Sequence, residues 1–226
     1  MCSVSYFPVN EGFILTSNRD ERAGRETISP KTYQHENQNI VYPKDSEKGG
    51  TWIAWSENKE GLCLLNGGFK KHKHTGNYSR SRGNIALERF NYEHPWDFIT
   101  LIDLTNVEPF TIILFDIRDS VFLMELVWDG KQKHANYLDP NIMHFWCSST
   151  LYTSRLKSAR RRMFEEWQMR QDTICADKIL EYHHTHLNLK PELPSPKPEV
   201  QTVSISQIIH TPQESTLRYF PVELVH

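Results

Sequence analysis

The 226-residue chain carries 26 Lys+Arg against 28 Asp+Glu, a formal charge of −2 and a pI near 6.6, which argues against the basic footprint of a nucleic-acid binder. A chain this long buries about 70% of its unfolded surface and holds a core without disulfides or a structural metal. Its four cysteines, at 2, 63, 147 and 175, show no CxxC spacing, and nothing calls for a cofactor. The longest apolar runs, 110–115 and 121–128, fall far short of the ~20 residues that span a bilayer. No basic-then-apolar leader opens the chain, so the expectation is a cytoplasmic protein with reduced thiols.

In chain order, strands are predicted at 3–7 and 12–17, joined by the hairpin turn Val9-Asn10-Glu11-Gly12. The polar stretch 22–48, with Pro30 and Pro43, shows no helical period. It reads as a surface excursion holding one short strand at 39–42. Strands follow at 50–55 and 61–65, then helices at 84–92 and 96–104 separated by Pro95. Strands at 110–116 and 120–128 flank a tight turn, and Asp129-Gly130 signals a hairpin into 132–137. The stretch 154–170 is an amphipathic helix whose Leu156, Met163 and Trp167 recur at helical spacing. A second helix spans about 173–186 with Asp172 as its N-cap. Prolines at 191, 194, 196 and 198 mark a stiff connection to closing strands at 202–209 and 217–219. Without a repeat or a composition break, the expectation is one α+β domain over 1–226, its sheets covered by helical layers.

Cys2 is the first residue with chemical promise. Removal of Met1 would leave a cysteine with a free α-amine beside its own thiol. Their pKa values of about 7.7–8.0 and 8.5 let the pair exchange a proton near neutral pH. That combines nucleophile and base in one residue. The plainer reading of the residue by itself, and the favoured one at this point, is a small apolar side chain at the start of a strand. The run Asn18-Arg19-Asp20-Glu21 closes the second predicted strand, and an antiparallel partner brings that end towards Cys2. An Arg and an Asp there suit an α-amine and a thiolate; an ordinary solvated turn is the plain alternative.

Met1-Cys2, the Asn18–Glu21 tetrad and Gly49-Gly50-Thr51-Trp52 together resemble the NRDE family, also called transport and Golgi organisation family two. Cys63-Leu64-Leu65-Asn66-Gly67-Gly68, Glu125–Lys131 and Thr202-Val203-Ser204-Ile205 extend the resemblance along the whole chain. The family in turn resembles the cysteine N-terminal nucleophile hydrolases, such as penicillin V acylases and bile-salt hydrolases. That resemblance implies a four-layer αββα sandwich and a hydrolase or acyltransferase in which Cys2 attacks a linear amide or thioester. It matches Arg19 and Asp20 to the Arg and Asp beside the nucleophile, although Asn18 precedes Arg19 where those enzymes have Arg first. It matches Asn66 to the oxyanion-stabilising Asn, a role a side-chain amide suits; as a bare residue, Asn66 is equally a turn former before Gly67-Gly68. Ser149 stands where a second Asn is expected, and Arg155 corresponds to a further active-site Arg. Trp52 reads as a pocket wall or a core tryptophan.

Other candidates read as plain structure. The basic run Lys70-Lys71-His72-Lys73-His74, with Arg80 and Arg82, suits an anionic group or a solvated loop. His183-His184-x-His186 lacks the i, i+4 spacing of a helical metal pair, so no metal site is assigned. The expected partner is a small-molecule substrate or ligand, with no nucleic acid and no membrane span, and a homo-oligomer is left open. The rival reading keeps the fold as a non-enzymatic carrier or chaperone for haem or acyl-lipid, and a third makes the proline-rich stretch an interaction element.

Overall fold

The computed structural model describes residues 3–36, 38–74, 76, 78–187 and 200–223. Strands β1 (Ser3–Val9), β2 (Gly12–Arg22), β3 (Thr27–His35), β4 (Gln38–Asp45), β5 (Ile53–Ser56) and β6 (Glu60–Asn66) precede helices α1 (Arg82–Glu88) and α2 (Pro95–Leu101). Then come β7 (Phe110–Asp116), β8 (Phe122–Trp128), β9 (Lys133–Tyr137) and β10 (His144–Cys147). Helices α3 (Ser154–Met169) and α4 (Ala176–Thr185) lead to β11 (Val200–His210) and β12 (Ser215–Pro221). The chain forms two compact units, residues 1–24 with 141–226 and residues 25–140.

The first unit holds an antiparallel sheet in the order β10-β1-β2-β11-β12. Its β1–β2 hairpin closes in two residues, as the turn chemistry predicts, with Val9 opposite Gly12. Gly12 is required: a Cβ there would stand 1.9 Å from the His210 carbonyl oxygen of β11. Strand alternation turns Phe7, Ile14, Phe145 and Ile209 to one face, where α3 and α4 cover them with Phe164, Ile179 and Tyr182, joined by Leu187 just after α4. The second unit is a seven-stranded antiparallel meander, β3 to β9 in sequence order. There Gly50 lies so close to Gly83 of α1 that a Cβ would meet its carbonyl carbon at 2.4 Å. Thr51 donates its hydroxyl to the Pro43 and Ile53 carbonyls at 2.7 and 2.9 Å. The Gly-Gly-Thr motif is therefore a packing device that seats α1.

Several expectations need correction. The stretch 22–48 is no excursion: it forms the β3–β4 hairpin, turning at Glu36 with φ 47°. Its mostly exposed positions hid the strand, and Pro30 is tolerated because it sits at a register shift on an edge strand. Pro95 does not separate the helices but occupies the first turn of α2, capped by His94, and α2 ends at Leu101. Asp172 does not cap α4. That helix starts at Ala176, behind Cys175, which makes no capping bond; its start follows from packing Ile179 and Tyr182 on the sheet. Leu156 and Met163 are exposed, and Phe164 is the buried residue of α3. Finally, β2 runs to Arg22, so the tetrad lies inside a strand, paired with β11 throughout and with Ser3 of β1 at Asn18, rather than at its end.

Phe164 is fully buried and touches the rings of Phe7, Phe145, Trp167 and Tyr182 at 4.6–5.7 Å between centroids. Phe164→Ala should lower unfolding free energy by about 3–5 kcal/mol. Leu156→Ala and Met163→Ala, at exposed positions, should each stay within about 0.5 kcal/mol of wild type. Urea denaturation of the three variants checks this, and a large loss for Leu156→Ala would refute the assigned face of α3.

Candidate functional site

Cys2 lies outside the described residues. Its chain neighbour Ser3 opens β1 and stands opposite Asn18 of β2 on one side and Cys147 of β10 on the other. On β11, Ile205 faces Asn18, Ser204 faces Arg19 and Thr202 faces Asp20. The structure thus brings Asn18, Arg19, Asp20 and the first residues of β1 together at one end of the sheet. Asn18, Arg19 and Asp20 are all at most 3% exposed, so the solvated-turn alternative fails. The pleat puts Asn18 and Asp20 on the face covered by α3 and α4 and turns Arg19 to the other.

On the helix-covered face every tetrad side chain has a partner that explains it. Asp20 accepts a 2.5 Å hydrogen bond from the Thr202 hydroxyl and a 3.5 Å bond from the Tyr152 phenol. Arg160 of α3 donates to the Ser3 hydroxyl at 3.2 Å and the Leu187 carbonyl at 2.8 Å. Its guanidinium also lies 4.6 Å from the Tyr152 ring centre. Burial pushes the Cys147 thiol up, against the opposing pull of Arg160 and the Ser3 hydroxyl, so this cysteine stays protonated and unreactive. Ser149 is buried in the β10–α3 connection, next to a Ser148–Thr150 hydroxyl pair at 2.8 Å. Arg155 is exposed on the first turn of α3.

Asn18 is held by a histidine. Its Nδ2 donates to the His183 carbonyl at 3.2 Å, which fixes the amide orientation, and its Oδ1 therefore accepts from His183 Nδ1 at 2.5 Å. The Nε2 of the same ring lies 2.8 Å from the Ser5 hydroxyl. Desolvation, aided by the Arg160 charge, lowers the His183 pKa to about 3. The ring is then neutral, protonated at Nδ1, and Ser5 donates to Nε2.

In the second unit, Asn66 ends β6 opposite Phe110, followed by Gly67 at φ 87°. Trp52 is buried ahead of β5. In the basic run Arg80 pairs with Glu88 at 2.8 Å, and three other members share one carboxylate: Glu108 accepts from His72 at 2.9 Å and His74 at 3.3 Å, and pairs with Arg82 at 3.0 Å. Its carboxyl is held below the usual range, the pull of Arg82 and the two imidazoles outweighing burial. A cleft of about 440 Å³ is lined by Glu93, His94, Asp97, Asp116, Arg118 and Phe122 among others, and by none of the sequence-predicted residues. Among the described residues no His/Cys/Asp/Glu group could hold a metal ion, and no helix is long and apolar enough to cross a membrane.

The residues that sequence reasoning missed are His183, Arg160, Tyr152 and Thr202. His183 was visible only as part of a histidine-rich helix end, and its partner is 165 positions away. Thr202 lay within a motif already noted, opposite the tetrad.

Comparisons with known proteins identify the family and the fold. The family model for Transport and Golgi organisation 2 matches residues 1–220. No curated protein matches the chain in sequence. Among solved structures, a variant of conjugated bile acid hydrolase from Clostridium perfringens aligns with TM-score 0.59 at 8% identity, over 97% of this chain and 92% of that one. The Caenorhabditis elegans ortholog of N-acylethanolamine-hydrolyzing acid amidase aligns at 0.54 with 11% identity, over 92% of each chain. Penicillin V acylase from Agrobacterium tumefaciens aligns at 0.54 with 7% identity, over 98% of this chain and 86% of that one. The α+β fold is that of the N-terminal nucleophile hydrolases.

A histidine with a folded pKa of about 3 and an unfolded value near 6.5 binds its proton only in the unfolded state between those limits. Its contribution to stability is complete above pH 6.5 and is lost as pH falls towards 3, by about 1.4 kcal/mol per unit. The stability difference between wild type and His183→Gln should narrow at that slope from pH 6.5 to 4. Denaturant titrations at several pH values measure it, and parallel curves for the two proteins would contradict a neutral buried His183.

Proposed function

The chain belongs to the Transport and Golgi organisation 2 family, and on that premise we propose that it is a cysteine hydrolase of the N-terminal nucleophile type, cleaving a linear amide or thioester. One observation carries this reading. Cys2 is joined by a single peptide bond to Ser3, and Ser3 pairs directly with Asn18, beside Arg19 and Asp20. The solved structures of like fold support the same chemistry, since their names describe enzymes that hydrolyse conjugated bile acids and N-acylethanolamines or act as a penicillin acylase.

After loss of Met1, the α-amine of Cys2 accepts the thiol proton, directly or through a water. The thiolate adds to the substrate carbonyl. The ammonium then gives its proton to the departing amine or thiol as the tetrahedral adduct collapses, re-forming the carbonyl and breaking the scissile C–N or C–S bond to leave Cys2 acylated. Water, deprotonated by the same amine, hydrolyses the thioester and frees the thiol. Arg19, a buried cation on the strand beside β1, steadies the thiolate. Asp20, held by Thr202 and Tyr152, fixes the strand that presents Arg19.

Intact mass should show Met1 removed, and iodoacetamide should label Cys2 before the exposed Cys175, the half-buried Cys147 and the buried Cys63. Cys2→Ala should lower kcat on N-acyl amide substrates by at least ~10³-fold. A protein that keeps Met1 sinks the proposal, because the α-amine then sits on the wrong residue.

A further inference from the structure

The Ser5–His183–Asn18 chain has the hydrogen-bond order of a catalytic relay: hydroxyl to Nε2 at 2.8 Å, Nδ1 to a side-chain carbonyl at 2.5 Å. Yet all three residues are 0% exposed, and no substrate reaches Ser5. The arrangement must serve another purpose. Its geography suggests which one: Ser5 is on β1, Asn18 is on β2, and His183 is on α4. One side chain of the helix thus bonds both strands of the hairpin at once, and the backbone carbonyl of the same residue takes the Asn18 amide.

On the hydrolase reading Cys2 becomes the first residue of the mature protein, a position where chains ordinarily fray. A nucleophile placed there must nevertheless hold its position to within about 0.5 Å. We propose that His183 is a positioning residue, clamping Ser5 of β1 and Asn18 of β2 to α4 so that the start of β1 keeps its register beside Arg19. This rests on the reading of Cys2 as the nucleophile. Three observations make the clamp specific rather than generic packing. The Asn18 amide is used at both ends, so its orientation has one solution. The ring needs one tautomer to serve both partners. Across the same sheet end, Arg160 bonds Ser3 at 3.2 Å, so a second helix secures the same strand two residues earlier. The groups facing the ring are Ser5 and Asn18 from the strands, Arg160 from α3 and the edge of Phe164 at 6.3 Å. None is a carboxylate, and with a pKa near 3 the ring stays neutral at physiological pH.

Two substitutions divide the clamp. His183→Asn keeps a donor at the Nδ1 position and so the link to Asn18, losing Ser5. His183→Gln places its amide at the Nε2 position, keeping Ser5 and losing Asn18. Hydrogen exchange of amides 3–6 and 16–19, and the pH dependence of Cys2 alkylation by iodoacetamide, are read in both. His183→Asn, which releases β1, should exchange amides 3–6 at least tenfold faster, slow Cys2 alkylation at pH 7 about tenfold and move its midpoint towards an ordinary thiol. His183→Gln, which releases β2, should exchange amides 16–19 at least tenfold faster and change Cys2 alkylation less. Unchanged exchange and pH profile in His183→Asn, or the same losses at both strands in both variants, would overturn the clamp. Should Cys2 in the wild type react no faster than Cys175, the hydrolase reading fails, while the exchange data still decide the clamp. Nitrogen-15 histidine NMR of the unaltered protein decides it if a variant does not fold. One neutral ring protonated at Nδ1 from pH 7 to 4 is expected; an Nε2-protonated ring, or a titration of His183 near 6.5, refutes it.

Discussion

A polar residue on a buried strand is costly without a partner, and β2 carries five in a row, Thr16 to Asp20, of which Asn18, Arg19 and Asp20 are the largest. It pairs with β1 up to Asn18 and with β11 beyond it, so its backbone is largely engaged and side chains of neighbouring elements are left to satisfy Asn18, Arg19 and Asp20. An unpaired buried polar group costs several kcal/mol when it bears charge. The sheet end therefore collects donors and acceptors from every neighbouring element: Thr202 from β11, Tyr152 from the β10–α3 connection, Arg160 from α3 and His183 from α4. Away from that end the same face is aromatic and aliphatic, built around Phe164. The helices are thus held by apolar packing at one end and by directional bonds at the other. Only the directional end dictates a single registry.

How much of this is legible from sequence follows the range of each interaction. The β1–β2 hairpin, the β8–β9 turn and the order of strands and helices depend on contacts between near neighbours, and the sequence carries them. The strand expected at 39–42 is the middle of β4, but β3 did not show because it holds only exposed and half-exposed positions on an edge strand. Hydrophobic periodicity has little to report there. The inward face of α3 was misjudged for a related reason. Leu156 and Met163 have helical spacing, but Arg160 and Arg161 claim the sheet side to reach Ser3 and the Phe145 carbonyl. Two cations on the covered face pull the apolar stripe round to Phe164.

The candidate site was legible as a set of residue types and not as a geometry. The tetrad Asn18–Glu21 reads as four consecutive functional residues, yet a strand cannot present consecutive side chains to one place. Asn18 and Asp20 are spent on the helix-covered face, on His183 and on Thr202 with Tyr152. Arg19 alone of the three central polar residues turns the other way. A motif that looks uniform in sequence therefore divides its labour by pleat, two side chains fastening the strand for one that faces elsewhere.

That division bears on the order of residues in the tetrad. In the amidases this chain resembles, Arg precedes Asn, whereas here Asn18 precedes Arg19. Moving the arginine by one position along a strand moves it to the opposite face. An Asn at 19 and an Arg at 18 would place an unpaired guanidinium against a neutral His183 that already shares its surroundings with Arg160. Two cations would then meet in a pocket without a free carboxylate, since Asp20 is taken by two hydroxyls. The present order avoids this: the small neutral amide meets the neutral imidazole, and the charge lies on the other side of the sheet. Asn18 and His183 are in that sense one choice, and the position of Arg19 follows from it.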